Sequence, residues 1–230
     1  MGIVLTPRRL TITVAAMTVV VAAFTWLTIR QVGGPGAGIL HWDWNSVHRA
    51  REMVGENKDL WKTTVMLGLR GLILTFFVPV FGWISWRRRT WWPLLGFVLV
   101  LLFETGLAGA LKVAMGREFP WQSWPHLGAL ETGELAYPSG HATNAVALWG
   151  YIAWWFTRPG SVARRVAWTA VGVACIITGV SSWLIRTHWP TDLFAGTALG
   201  VIALVTGIAF MNAAGVSPWA RTPRPPEVRP

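Results

Sequence analysis

Charge is scarce in this chain. Only 13% of its 230 residues are Asp, Glu, Lys or Arg, against 53% that are hydrophobic, and the charges fall in short clusters between long uncharged runs. That scarcity excludes a soluble domain of ordinary kind. Cysteine is all but absent: Cys175 stands alone in an apolar run, so no intramolecular disulfide can form. Internal repeats are missing, and low complexity is confined to a Pro/Arg tail over residues 221–230, which is expected to be disordered. The sequence also lacks a carboxylate-rich cluster of the kind that magnesium needs. The formal net charge of +10 would suit nucleic acid, but the basic residues form no continuous face and no nucleic-acid motif is present.

What the chain does have is apolar length. Six runs, near residues 10–29, 63–84, 92–115, 141–156, 166–185 and 191–211, are long enough for a bilayer core of about 30 Å, the fourth only with help from its flanking turns. The expected fold is therefore all-α, an integral membrane six-helix bundle. One membrane domain fills residues 1–215, with an outer loop over 30–62 and a disordered cytoplasmic tail over 216–230. Arg8 and Arg9 precede the first run, as they would in a signal peptide. The run is long, however, and no Ala-x-Ala cleavage site follows it, so it reads as an uncleaved span.

Orientation follows from arginine placement. Arg8 and Arg9, then Arg87, Arg88 and Arg89, then Arg158, Arg164 and Arg165, then Arg221, Arg224 and Arg229 occupy every second connection. Placing these inside satisfies the positive-inside rule, with both termini cytoplasmic in a multi-pass protein of the cell membrane. The extracytoplasmic side receives loops 30–62 and 116–140 and the tight connection 186–190. Within the first loop, residues 43–60 could form an interfacial amphipathic helix. Trp83, Trp86, Trp91, Trp92, Trp154, Trp155, Trp183 and Trp189 sit at span ends, as aromatic belts do.

Polar residues gather at the outer helix ends. The segment Pro138-Ser139-Gly140-His141 opens the fourth run, placing free backbone N–H groups, a hydroxyl and an imidazole at one point. It suits either a phosphate cradle or a plain N-cap. Lys112 ends the third run, where a lysine either snorkels or serves a site. His188 and Asp192, four apart beside Pro190, suit either a carboxylate-oriented imidazole or a capped turn. Arg70 and Glu104 fall inside apolar runs and are expected to pair or to face a polar cavity, in a structural role. Asn144, a turn beyond His141, is a candidate support for it. His126, Glu131 and Glu134 belong to the outer loop, and His41 and His48 to the surface.

These residues resemble the type 2 phosphatidic acid phosphatase family, whose fold is shared with vanadium haloperoxidases. The family's three ordered motifs correspond here to residues 112–120, 138–141 and 181–192. The middle motif matches fully, and the third keeps its spacing, with Ala195 and Gly196 following Asp192. Two positions depart. The first motif's arginine, just before Pro120, falls on Phe119, and the third motif's arginine falls on Ser182. Arg117 and Arg186 are the candidate replacements.

By resemblance, His188 attacks phosphorus to form a phosphohistidine, Asp192 holds its tautomer, and His141 protonates the leaving oxygen and then assists water. Lys112, Arg117, Ser139, Gly140 and Arg186 are implied to bind phosphate oxygens. The scheme requires neither metal nor cofactor. It implies a membrane phosphatase acting on a lipid phosphate or diphosphate: undecaprenyl diphosphate, which best suits an outward-facing site, phosphatidylglycerol phosphate, or phosphatidic acid. A phosphotransferase using the same residues, or a non-catalytic lipid-phosphate binding or transport protein, is the alternative. A soluble haloperoxidase does not fit so apolar a chain.

Overall fold

Helices begin and end where the sequence supplies caps. The computed structural model describes residues 6–30, 38–55, 58–121 and 135–219, and every regular element among them is helical. Helix α1 (Pro7–Arg30) starts on a proline, with Thr6 Oγ1 accepting from the Arg9 amide at 3.3 Å. Then come α2 (Gly38–Val54), α3 (Lys58–Val65), α4 (Arg70–Arg87) and α5 (Trp92–Met115). Helix α5 stops at Gly116, whose φ of 54° lets its amide close onto the Lys112 carbonyl. Ser139 and Ser161 cap α6 (Gly140–Phe156) and α7 (Val162–Leu184). Helix α8 (Pro190–Ala213) opens on a proline, and its Asp192 carboxylate accepts from the Trp189 amide at 3.0 Å.

Four helices, α1, α5, α7 and α8, are long and apolar enough to cross a bilayer. A fifth candidate crossing is broken. The run expected to be continuous over 63–84 ends α3 in a 3₁₀ turn at Met66–Gly68, turns extended at Leu69 and restarts as α4, bent by 44°. A break inside an apolar layer exposes carbonyls that lipid cannot satisfy. Here α6 satisfies them: Trp149 Nε1 donates to Leu67 O at 2.8 Å, and Asn144 Nδ2 donates to Gly68 O at 3.1 Å. The break is thereby fastened to the first turns of α6.

Helix α6 is the centre of the bundle, buried on nearly every side. Phe81, Phe97, Tyr151, Trp155, Leu204 and Met211 form the main core around it. Its contact with α8 depends on missing side chains. A Cβ on Gly196 would collide with the Ser139 carbonyl oxygen, and one on Gly200 would lie 2.7 Å from Thr143 O. Small residues let the two backbones approach, and Thr143 Oγ1 bridges them by donating to Gly196 O at 3.1 Å.

Residues 43–60 depart from the expected single surface helix. They lie across α2 and α3, and Asp43, Val47, Ala50 and Val54, spaced along one face of α2, are buried against the protein. Val47 packs with Trp189, and Ala50 and Val54 pack with Leu184. The aromatic belt is also smaller than expected. Trp83, Trp86 and Trp91 are exposed, but Trp154, Trp155 and Trp189 are buried. A span-end position leaves an indole free to face either lipid or the bundle, and for these three the bundle supplies partners.

Gly196→Ala must displace backbone at Ser139, and overpacking of this kind costs about 1–3 kcal/mol. The variant is expected to melt at lower temperature in detergent, whereas Gly106→Ala, whose Cβ meets nothing within 4 Å, is expected to melt like the parent. Equal melting of the two variants would contradict this packing.

Candidate active site beside the broken helix

The break before α4 and the start of α6 meet at a cavity of about 330 Å³. Gly68, Leu69 and Arg70 line it from one side, and Gly140, His141 and Asn144 from another. Lys112, Phe119 and His188 complete the wall. Two helix N-termini therefore open at one place, and unpaired first-turn amides with their partial positive charge favour an anion there. The rings of His141 and His188 meet edge to face on its wall, with centroids 5.8 Å apart. Lys112 Nζ donates to the Leu135 carbonyl, which leaves two of its three donor hydrogens for other acceptors.

His188 is almost fully buried. Its Nδ1 lies 3.6 Å from Asp192 Oδ2, just outside hydrogen-bond reach, and has no other partner. Burial holds its pKa below the ordinary 6.5, and the neighbouring Asp192 charge opposes this without reversing it. The imidazole is thus neutral over a wider range of pH than a free histidine.

Asp192 is held from three directions. Its Oδ2 accepts the Trp189 amide, its Oδ1 accepts Arg117 Nη1 at 2.6 Å, and its backbone carbonyl accepts the Ser139 amide at 3.0 Å. Arg117 Nη2 donates to Asp43 Oδ2 at 2.7 Å, and Arg117 Nη1 also donates to Thr191 Oγ1 at 2.6 Å. Thr191 in turn gives its amide to Asp43 Oδ1 at 3.2 Å. None of these four side chains is exposed, and the guanidinium lies 5.2 Å from the Trp189 ring centre. Burial raises the Asp43 pKa even though Arg117 stands beside it. For Arg117 burial works against the charge, but Asp192 and Asp43 more than offset it.

The expected residues thus separate into two groups. His141, His188, Lys112 and Gly140 line the cavity, and Asp192 stands directly behind His188. Arg117 does not line it, because two carboxylates take its guanidinium. Ser139 is buried with its Oγ accepting from the Ala142 amide at 3.3 Å, which is N-cap geometry. Arg186, at φ 61°, donates to Pro120 O at 3.0 Å and also lies outside the cavity wall. Arg70 pairs with Glu104 as expected, at 3.2 Å, yet it also lines the cavity. An arginine beginning a helix within an apolar run was the signal for it. Asp43 carried none. His41 and His48 are on the surface, and His126, Glu131 and Glu134 lie outside the described residues.

The PAP2 superfamily model matches residues 93–215, more than half of the chain. The chain belongs to the PAP2 superfamily. Among its relatives, phosphatidylglycerophosphatase B of Bacillus subtilis (strain 168) is 25% identical over 166 residues, covering 66% of this chain and 78% of that one. A crystal structure of a transmembrane PAP2 type phosphatidylglycerolphosphate phosphatase from Bacillus subtilis shares the fold. Its TM-score is 0.67 at 19% identity, over 86% of this chain and 96% of that one. The two departures from the PAP2 motifs, Phe119 and Ser182, have different surroundings. Phe119 stacks on Trp121, with centroids 4.4 Å apart, and meets the His188 ring edge-on at 5.5 Å. Ser182 is wholly buried. Asp43 and Arg70 both precede the matched PAP2 segment.

Removing one partner of a buried ion pair costs roughly 3–5 kcal/mol. Asp43→Ala and Arg117→Ala are each expected to destabilise the protein on that scale, and the double variant by clearly less than their sum. Unfolding of the three variants in detergent measures this. Strict additivity would mean that the two side chains are not coupled.

Proposed function

We propose that this PAP2 protein is an integral membrane phosphatase that hydrolyses a lipid phosphomonoester, of which phosphatidylglycerol phosphate is the type, through a phosphohistidine on His188. The observation that carries the reading is the adjacent pair of His141 and His188 on one cavity wall with Lys112, and Asp192 behind His188. Neutral His188 attacks phosphorus with its Nε2 lone pair, while Nδ1–H turns to Asp192 after a shift of a few tenths of an ångström. As the N–P bond forms, the ester P–O bond breaks and His141 gives its proton to the leaving oxygen. His141 then takes a proton from water, water oxygen attacks phosphorus, and the N–P bond breaks to release phosphate. Lys112 and the N–H groups at Gly140 neutralise charge on the phosphoryl oxygens.

The membrane setting completes the proposal. We read α6 as a sixth crossing. At 17 residues it is about 26 Å long, and its burial within the bundle relieves it of matching the lipid. The arginine clusters then lie inside and the cavity at the extracytoplasmic surface. There a headgroup enters while its acyl chains stay in lipid. The similarity to a phosphatidylglycerophosphatase supports a glycerophospholipid monoester over a carrier-lipid diphosphate.

Purified protein in detergent with EDTA, offered phosphatidylglycerol phosphate, phosphatidic acid and undecaprenyl diphosphate, is expected to release phosphate fastest from the first. His188→Ala is expected to fall to background and His141→Ala by on the order of 10²–10⁴-fold. Intact lipids with folded parent protein would sink the reading.

The pH profile is a separate test. Because burial lowers the His188 pKa, the nucleophile keeps its lone pair as pH falls below 6.5. The acid limb of kcat/KM is expected to have its midpoint below that value. A midpoint at or above 6.5 would contradict a buried nucleophile.

A further inference from the structure

Of the described side chains lining the cavity, the only lysine is Lys112 and the only arginine is Arg70. The other arginines near the site do not line it. Arg117 lies between Asp43 and Asp192, and Arg186 donates to Pro120 O. Among the described residues, a phosphoryl group in this cavity therefore meets a guanidinium only at Arg70.

Resting on the phosphatase reading, we propose that Arg70 is a catalytic residue of this protein, the guanidinium that binds and neutralises the phosphoryl oxygens. It enters from the broken helix rather than from any of the three motifs. Its setting is that of an aimed group. It is the first residue of α4, directly after the extended Leu69, so the break brings its side chain to the cavity. Nη2 lies 3.2 Å from Glu104 Oε1, and Glu104 itself is fully buried. Nε reaches Asn144 Oδ1 at 3.5 Å, at the limit of a hydrogen bond. Asn144 also holds Gly68 O through Nδ2, so one side chain of α6 fixes both the break and the arginine. Nη1 has no hydrogen-bond partner among the described residues, and 37% of the side chain is exposed although Glu104 is not.

A purely structural ion pair has no need of a donor left open on a cavity wall. A phosphate does. The planar fork can give parallel N–H bonds to two oxygens, which the point charge of Lys112 cannot. Glu104 holds the fork from behind, and its charge keeps the empty cavity from accumulating two uncompensated cations. Glu104 and Asn144 are accordingly positioning residues.

The test uses full-length protein in detergent with two readouts, kcat/KM on phosphatidylglycerol phosphate and competitive inhibition by inorganic phosphate. Arg70→Ala alone leaves Glu104 buried without its partner, so Arg70→Ala/Glu104→Gln is made beside it, and melting curves establish folding. The folded double variant is expected to lose on the order of 10²-fold in kcat/KM, as loss of one oxyanion donor does elsewhere, and to bind phosphate at least tenfold more weakly. Arg70→Lys, which keeps the charge without the fork, is expected to fall between the two. If the folded double variant keeps both values within about threefold of the parent, the proposal is overturned and the pair is structural. A tenfold loss of phosphate inhibition in Arg186→Ala with none in Arg70→Lys would overturn it in favour of Arg186. If the parent itself hydrolyses no lipid, the phosphatase reading fails, whereas a working parent with an unaffected double variant sinks only the role of Arg70.

Discussion

One buried cation organises the site end of this bundle. Arg117 stands between Asp43 of α2 and Asp192 of α8, with no part of the three side chains exposed. A guanidinium in such a place is tolerable only because carboxylates meet it on both sides and Thr191 fills the gap between them. Asp192 gains a fixed orientation and gives its second oxygen to the turn before α8. His188, one turn earlier, has its Nδ1 3.6 Å from that oxygen. The surroundings of His188 are therefore shaped by a charge that does not line the cavity.

The second constraint is the broken helix. An uninterrupted crossing over residues 63–84 would have kept every carbonyl within its own ladder and left no wall for the site. The 44° bend at Gly68 and Leu69 sends Arg70 toward α6, and α6 returns Trp149 and Asn144 to the carbonyls that the bend frees. Gly68 also has to lie close: a Cβ there would be 2.5 Å from His141 O. Polar side chains within an apolar layer thus perform two tasks at once, satisfying backbone and shaping a cavity.

Much of the site is legible in the sequence, because spacing along a helix is a local property. The positions of His188 and Asp192, the glycine and histidine that open α6, and the lysine in the last turn of α5 all follow from three short motifs and the periods of their helices. The direction of a long side chain is not local. Arg117 reads as a cation beside a proline-ended motif, and its partner Asp43 lies 74 residues earlier, in a stretch that reads as a surface helix. Arg70 is visible as an oddity, and its pairing with Glu104 is foreseeable. Its place on the cavity wall depends on a helix break that an unbroken apolar run does not announce. The indoles of Trp154, Trp155 and Trp189 fail as belt residues for the same reason, since hydropathy does not distinguish lipid from neighbouring protein.

The close approach of α8 to the Ser139 turn bears on how such a protein comes into being. His188, Asp192 and the glycine that clamps that turn all lie in the final quarter of the chain, and the helix they press against is enclosed only once α8 is in place. During synthesis the earlier helices can enter the membrane, but none of them can assemble the histidine pair or seat the turn. The last crossing acts as the keystone of the arch. Until it is inserted the protein has spans and charges but no site.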